Sequence, residues 1–295
     1  MAAMLRGDFA AAWAISDRVL RERIDRDESC RRWPRHAQYV WRGDSLRNRR
    51  VLVRCYHGLG DTIQFARLLA PLRKEARYTI LWAPPALCEL LASVEGIDEI
   101  LPLHDGTPEC EYDADIELME LAHYFRLTPR TIPSRVPYIY EWARPRPLEP
   151  HEVLHVGIAW QSGRWDPKRS ISPKLAAKLG ALPDVQWYSL QYGAEDAPMR
   201  AHRMVDADLA LTARRMRSLD LVISVDTLTA HLAGALALPV WTLLPQQCDW
   251  RWMSHGERSP WYPTMRLFRQ PRPGDWEPVI DEVCRRCRSA WPTSM

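Results

Sequence analysis

From residue 51 onward the chain alternates short apolar runs with helix-period stretches, and it does so in two series separated by a proline-dense segment. Strands that alternate with helices build parallel sheets, because parallel neighbours need a crossover connection and a helix supplies it. In the first series, residues 51–55 read as a strand, 61–70 as a helix that Pro71 ends or kinks, and 78–82 as a second strand. A helix over 85–93 and strands over 97–101 and 113–118 continue the pattern. Six prolines, at positions 129, 133, 137, 145, 147 and 150, then break helices and central strands alike and mark a boundary. The second series runs strand 154–160, helix near 173–179, strand 185–190, helix near 212–218, strand 219–224, helix 227–236 and strand 240–244.

The expected architecture is therefore α/β, with two Rossmann-like doubly wound domains facing a cleft and ligands held at the carboxyl ends of the strands. The boundaries that follow are 1–48 for an N-terminal helix and linker, 49–145 for the first domain, 151–275 for the second, and 276–295 for a last amphipathic helix that can cross back to the first domain. Within the N-terminal part, Phe9, Trp13, Ile15, Val19, Leu20 and Ile24 share roughly one helical face, a candidate docking or oligomer surface. The Arg-rich stretch from Cys30 to Arg50 reads as a solvated linker, with a phosphate partner as the other reading.

Charge and cysteine usage exclude several classes. A formal charge of +3, from 40 Lys+Arg against 37 Asp+Glu, is too balanced to indicate nucleic-acid binding. Seven scattered cysteines are an odd count in a long chain, which reads as a reduced, cytoplasmic setting; Cys284 and Cys287 lack the second pair that a zinc site wants. No stretch approaches the ~20 apolar residues of a membrane span. The expectation is a cytoplasmic protein without a transmembrane segment, compatible with peripheral association at the inner membrane.

The sharpest local signal is Tyr56-His57-Gly58-Leu59-Gly60-Asp61, between the first strand and the first helix. Gly58 and Gly60 let the backbone turn tightly and approach a ligand, and free N–H groups at the helix start favour an anion. It lacks the third glycine of a dinucleotide fingerprint. Asp61 is either the cap of that helix or a general base facing the cleft, and His57 is a rival base. In the second domain, Gln161, Lys168, Arg169 and Ser170 lie on a polar, basic loop after a strand, where a diphosphate would be held; Gln191 closes the next strand and can reach the same cleft. Asp226 and Thr227 start a helix whose N-terminus is a second anion site, with Thr229 and His231 in its first turns. Asp249, with Trp250, Arg251 and Trp252, forms an aromatic, charged segment that is either a rim for a base or sugar ring or a packing loop.

Together, the run Gly58 to Arg67, the loop Trp160 to Ser170, the run Ser224 to Gly234, and Asp249 to Trp252 with Ser259 to Pro263 and Phe268 to Pro271 resemble glycosyltransferase family 9. The resemblance is to its heptosyltransferase-like branch, found as the catalytic region of bacterial tetratricopeptide-repeat glycosyltransferases, and covers roughly residues 40–290. It implies a GT-B fold, inversion at the anomeric carbon of a nucleotide-activated sugar, no essential metal and no cofactor beyond the nucleotide-sugar donor. Asp61, with His57 as the rival, matches the catalytic base. Gly58, Gly60, Gln161, Lys168, Arg169, Ser170, Gln191, Asp226, Thr227, Thr229, His231 and Asp249 form the donor-binding set. Glycan, lipid-linked and protein acceptors all stay open, and Tyr56-His57, where relatives carry Glu-Gln, bears on acceptor choice. A catalytically decayed nucleotide-sugar-binding scaffold is the alternative from another class; an epimerase has no specific motif here. The first helix would be a remnant of the repeats.

Overall fold

The computed structural model describes residues 2–26, 33–140, 153–163, 166–193 and 197–290. The expected boundary at 145–151 and the last five positions lie outside the described residues. In the first domain the strands β1 (Arg50–Arg54), β2 (Tyr78–Ala83), β3 (Glu99–Pro102) and β4 (Ala114–Glu117) form a parallel sheet in the order β3-β2-β1-β4. Alternate residues of each strand face opposite sides. Val51, Val53, Leu81 and Ala83 enter the main core, while Leu52, Ile80 and Trp82 form a small separate cluster on the other face.

Helices α3 (Leu59–Ala66), α4 (Leu69–Glu75), α5 (Pro85–Leu91) and α6 (Leu121–Tyr124) follow the strands. The first crossover is two helices rather than one: the chain breaks at Arg67 and Leu68, which places Pro71 in the first turn of α4, where its missing N–H costs no helical bond. From β3 to β4 the chain crosses through residues 103–113 without a helix, so Leu103 and Cys110 of that loop cover the Trp82 face.

The second domain holds β5 (Leu154–Ala159), β6 (Val185–Ser189), β7 (His202–Arg203), β8 (Leu221–Val225), β9 (Val240–Leu244) and β10 (Met265–Arg269), all parallel in the order β10-β9-β8-β5-β6-β7. Its helices are α7 (Pro173–Ala176), α8 (Leu209–Met216), α9 (Leu228–Ala235) and α10 (Glu277–Ala290). Strands β7 and β10 were not expected; β10, Met265-Arg266-Leu267-Phe268-Arg269, carries arginines at its second and last positions, which interrupt its apolar run. The last helix does not cross back. Val279, Ile280, Val283 and Cys287 of α10 join Val156, Ile158, Leu221 and Phe268 in the core of the second sheet.

The segment that bridges the domains is instead the N-terminal one, α1 (Ala2–Leu5) with α2 (Phe9–Asp25). Asp8 caps α2 through the Ala11 N–H at 3.0 Å. Its buried face is turned to the chain itself: Trp13 donates to the Leu127 carbonyl at 2.8 Å and stacks on His123, while Phe9 meets Trp250 of the second domain. Ile15 and Ile24 remain exposed. One apolar core runs from β1 and α3 through α8, α9, Trp250 and Trp261, so the domains share a continuous interior.

Candidate active site

Helices α3 and α9 start at the carboxyl ends of β1 and β8, and they meet N-terminus to N-terminus across the domain boundary. Gly60 makes this approach feasible: a Cβ there would lie 2.9 Å from the His231 ring and 3.4 Å from the Leu228 Cα. Gly58 occupies the N-cap position of α3, and its N–H donates to Asp61 Oδ2 at 3.1 Å. Asp61 thus serves as the reciprocal acid of a capping arrangement. Its other oxygen, Oδ1, lies 2.7 Å from Nη1 of Arg251, which belongs to the second domain.

Arg251 is the centre of the site and was not among the residues expected to act. It sits in the 3-10 turn Trp250–Trp252, which Asp249 caps through the Arg251 N–H at 3.0 Å. Asp249 Oδ1 also accepts from Arg251 Nε at 2.9 Å, and Gln64 Oε1 of α3 accepts from Nη1 at 2.7 Å. Burial works against the charge of this guanidinium, yet Asp249, Asp61 and Asp226 outweigh it and hold the pKa above its ordinary value. The signal in the sequence was a charge between two tryptophans. A cation in such a setting is retained only with acidic partners.

The donor-side residues divide into two groups. Asp226 is buried at the entrance to α9. Arg169 Nη1 donates to its carbonyl at 2.9 Å and lies 3.5 Å from its Oδ2. Burial pushes the Asp226 carboxyl up, while Arg251 and Arg169 pull it back. Thr227 is the N-cap residue of α9, but its side chain makes no capping hydrogen bond. Lys168, on the same 3-10 turn as Arg169, is exposed. Arg169, Asp226 and Thr227 thus stand together at the N-terminus of α9.

The remaining expected contacts fasten the scaffold. Gln191 Oε1 accepts from the Trp160 and Gln161 N–H groups at 3.0 and 2.8 Å, and its Nε2 donates to the Gln161 and Tyr192 carbonyls, each at 3.2 Å. With its amide so occupied, Gln191 clasps the basic loop to β6. Ser170 Oγ accepts from the Ser162 N–H at 3.0 Å, closing that loop. Thr229 donates to the Leu190 carbonyl at 3.2 Å and pins α9 to the end of β6. The aromatic segment beside Asp249 is a packing element: Trp252 is fully buried and stacks on His231, and Trp250 packs on Phe9 and Trp261.

His231 is buried, with Nδ1 3.1 Å from the Tyr262 hydroxyl and Nε2 3.7 Å from Asp226 Oδ1. Burial, reinforced by Arg251, Arg67 and Arg169, holds it well below its ordinary pKa, so it is a neutral imidazole. On the first-domain side, His57 Nε2 lies 3.7 Å from Glu117, a residue the sequence reading passed over. Burial lowers the His57 pKa, with the Asp61 charge opposing. Glu117 accepts from the Tyr56 and Met119 N–H groups at 3.3 and 2.7 Å, and burial pushes its carboxyl up to about 8. Arg67, just past the end of α3, is buried between the rings of Tyr138 and Tyr262, and it donates to the Pro133 carbonyl at 3.1 Å and to the Trp261 carbonyl. It is a second tie between the domains.

No family model matches the chain. It is 26% identical over 296 residues to Protein FlbA of Caulobacter vibrioides, covering 84% of this chain and 48% of that protein, so the chain spans about half the length of this curated relative. Among solved structures it is similar to a glycosyl transferase family 9 protein from Veillonella parvula, with a TM-score of 0.53 and 14% identity over 77% of this chain and 87% of the other. It is also similar to the E. coli ADP-heptose lps heptosyltransferase II, with a TM-score of 0.50 and 13% identity over 81% and 99%. A third likeness is to the dodecameric iron-containing heptosyltransferase TibC of enterotoxigenic E. coli, with a TM-score of 0.54 and 14% identity over 79% and 66%. These likenesses show the fold: two parallel-sheet α/β domains in the GT-B arrangement of family 9 heptosyltransferases. Among the described residues no group of three or more His, Cys, Asp or Glu is placed to hold a metal ion such as the iron named for TibC. No helix among them is long and apolar enough to cross a membrane.

Proposed function

We propose that this chain is a family 9 glycosyltransferase, moving a sugar from a nucleoside diphosphate donor to an acceptor hydroxyl with inversion. The observation that carries the reading is the meeting of Asp61 in the Gly58 to Asp61 turn with Arg251 and the N-terminus of α9. A carboxylate on one wall faces a guanidinium and a helix N-terminus on the other. That division suits an acceptor hydroxyl on the first and a diphosphate on the second.

In the reaction, the Asp61 carboxylate takes the proton of the acceptor hydroxyl as its oxygen bonds to the anomeric carbon. The bond from that carbon to the diphosphate breaks, and its electron pair leaves with the nucleoside diphosphate. Lys168, Arg251 and the first N–H groups of α9 meet the charge on the departing phosphates. Arg169 holds Asp226 and so shapes the entrance to α9. The neutral His231 packs between Trp252 and Gly60 without adding charge. ADP-heptose is the first donor to test, because structural relatives are described as ADP-heptose enzymes or complexes.

The test pairs a thermal-shift screen against ADP, UDP, GDP, CDP and their sugar conjugates with single-turnover transfer by wild type and Asp61→Asn. The expected result is one nucleotide that raises the melting temperature of both proteins and transfer by wild type alone. A folded Asp61→Asn variant that still transfers sugar would remove Asp61 as the base. The ion pair itself favours a second reading, a nucleotide-sugar-binding scaffold, since a carboxylate held by a guanidinium is a weak base. Nucleotide binding with no transfer by wild type, across the donor panel and a range of acceptors, would select it.

A further inference from the structure

The Asp61–Arg251 pair has a consequence for how the site works, one that rests on the donor reading above. Arg251 is 8% exposed and fixed at its base by Asp249, itself the cap of the 3-10 turn, whereas Asp61 is 25% exposed and has water to turn toward. Of the guanidinium nitrogens, Nε serves Asp249 and Nη1 serves Asp61 and Gln64, while Nη2 makes no hydrogen bond among the described residues. Around it stand the carboxylates of Asp61, Asp249 and Asp226 and the guanidinium of Arg169. The two guanidiniums are thus already matched, Arg251 by these three carboxylates and Arg169 also by Asp166 at 3.5 Å. A diphosphate brought to the N-terminus of α9 adds anionic charge to a site in negative excess, and like charges at this range repel. Asp226 is buried, and Asp249, though 29% exposed, is tied to both the backbone N–H and Nε of Arg251, so the least costly relief is for Asp61, which faces Arg251 from the other domain, to leave.

We infer that Arg251 is a positioning residue that exchanges partners: without a nucleoside diphosphate it holds Asp61, and the donor's diphosphate takes over its guanidinium and releases the Asp61 carboxylate into the acceptor side of the cleft. The base is then available only once a donor is bound, and donor precedes acceptor in the binding order. Asp249 stays in place because it caps the turn that carries Arg251.

Isothermal titration of the full chain with ADP and with inorganic pyrophosphate tests the exchange in wild type, Asp61→Asn, Arg251→Gln and the double variant. Circular dichroism and melting temperature establish that each protein is folded. Without the ion pair to break, Asp61→Asn binds ADP about tenfold more tightly, and Arg251→Gln binds about tenfold more weakly or worse. The double variant decides between mechanisms: if the gain from Asp61→Asn acts through Arg251, it disappears in the Arg251→Gln background. An equal gain in both backgrounds, or none in either, overturns the exchange and leaves the transferase reading intact. Failure of wild type and Asp61→Asn alike to bind pyrophosphate and all of ADP, UDP, GDP and CDP overturns both. A scaffold that binds donors without transferring sugar would still show the exchange, so loss of turnover alone leaves it standing.

Discussion

Breaking the Asp61–Arg251 pair should cost stability in an amount that a double-mutant cycle can isolate. The charges are joined at 2.7 Å, with the Arg251 side chain 8% and the Asp61 side chain 25% exposed. Two unit charges ~4 Å apart in an effective dielectric of ~20 attract by about 4 kcal/mol. Desolvation of the arginine and solvent screening of the quarter-exposed aspartate take back roughly half, leaving a coupling of about 2 kcal/mol. Asp61→Asn is the right partner for Arg251→Met, because an amide oxygen can still accept from the Gly58 N–H and preserve the start of α3. Arg251→Met alone should cost roughly 3 kcal/mol, since it leaves Asp249 as well as Asp61 without a counter-ion. Urea unfolding of the four proteins at pH 7, followed by tryptophan fluorescence and far-ultraviolet dichroism, measures the cycle. The continuous core across both domains leads us to expect one coincident transition. Because the pair is largely buried, the coupling should persist in 0.5 M salt, unlike that of a surface pair. A coupling within about 0.5 kcal/mol of zero would refute the reasoning, for then water already screens the pair and it cannot restrain the base.

Three further outcomes follow from the same packing. Gly60→Ala places a methyl 2.9 Å from the ring of His231, which is itself stacked on Trp252, so it should destabilise by about 1–3 kcal/mol and weaken nucleotide binding, read by melting and titration. Glu117 keeps its proton in the folded state up to about 8, whereas its unfolded value is 4.5, so the folded protein should lose stability as pH rises between those values; Glu117→Gln should flatten that slope, by up to about 4 kcal/mol across the window, in urea titrations from pH 4.5 to 8. Phe9→Ala should cost about 3 kcal/mol and loosen the N-terminal helix from Trp250, seen as faster amide exchange over 9–25.

The sequence made the fold legible where local pattern and tertiary environment coincide. Buried parallel strands read as apolar runs, and β9 at Val240–Leu244, paired on both sides and mostly buried, matches its expected span. It failed where a residue's partner is remote. Gln64 and Arg251 are 187 positions apart, and nothing near either one announces the other. Polar strand ends such as Gln191, and helix-start hydroxyls such as Thr229, look alike whether they fasten backbone or face a ligand. Trp250-Arg251-Trp252 stays open in the sequence between a ligand rim and a packing loop, and burial decides it: the rings are structural and the guanidinium between them is held by carboxylates. A cation enclosed by aromatic residues demands carboxylates. The acids that the motif reading selected on other grounds, Asp61, Asp226 and Asp249, are the three whose charges converge on it. Their convergence answers one electrostatic requirement, which ties the chemistry proposed for Asp61 to the state of Arg251.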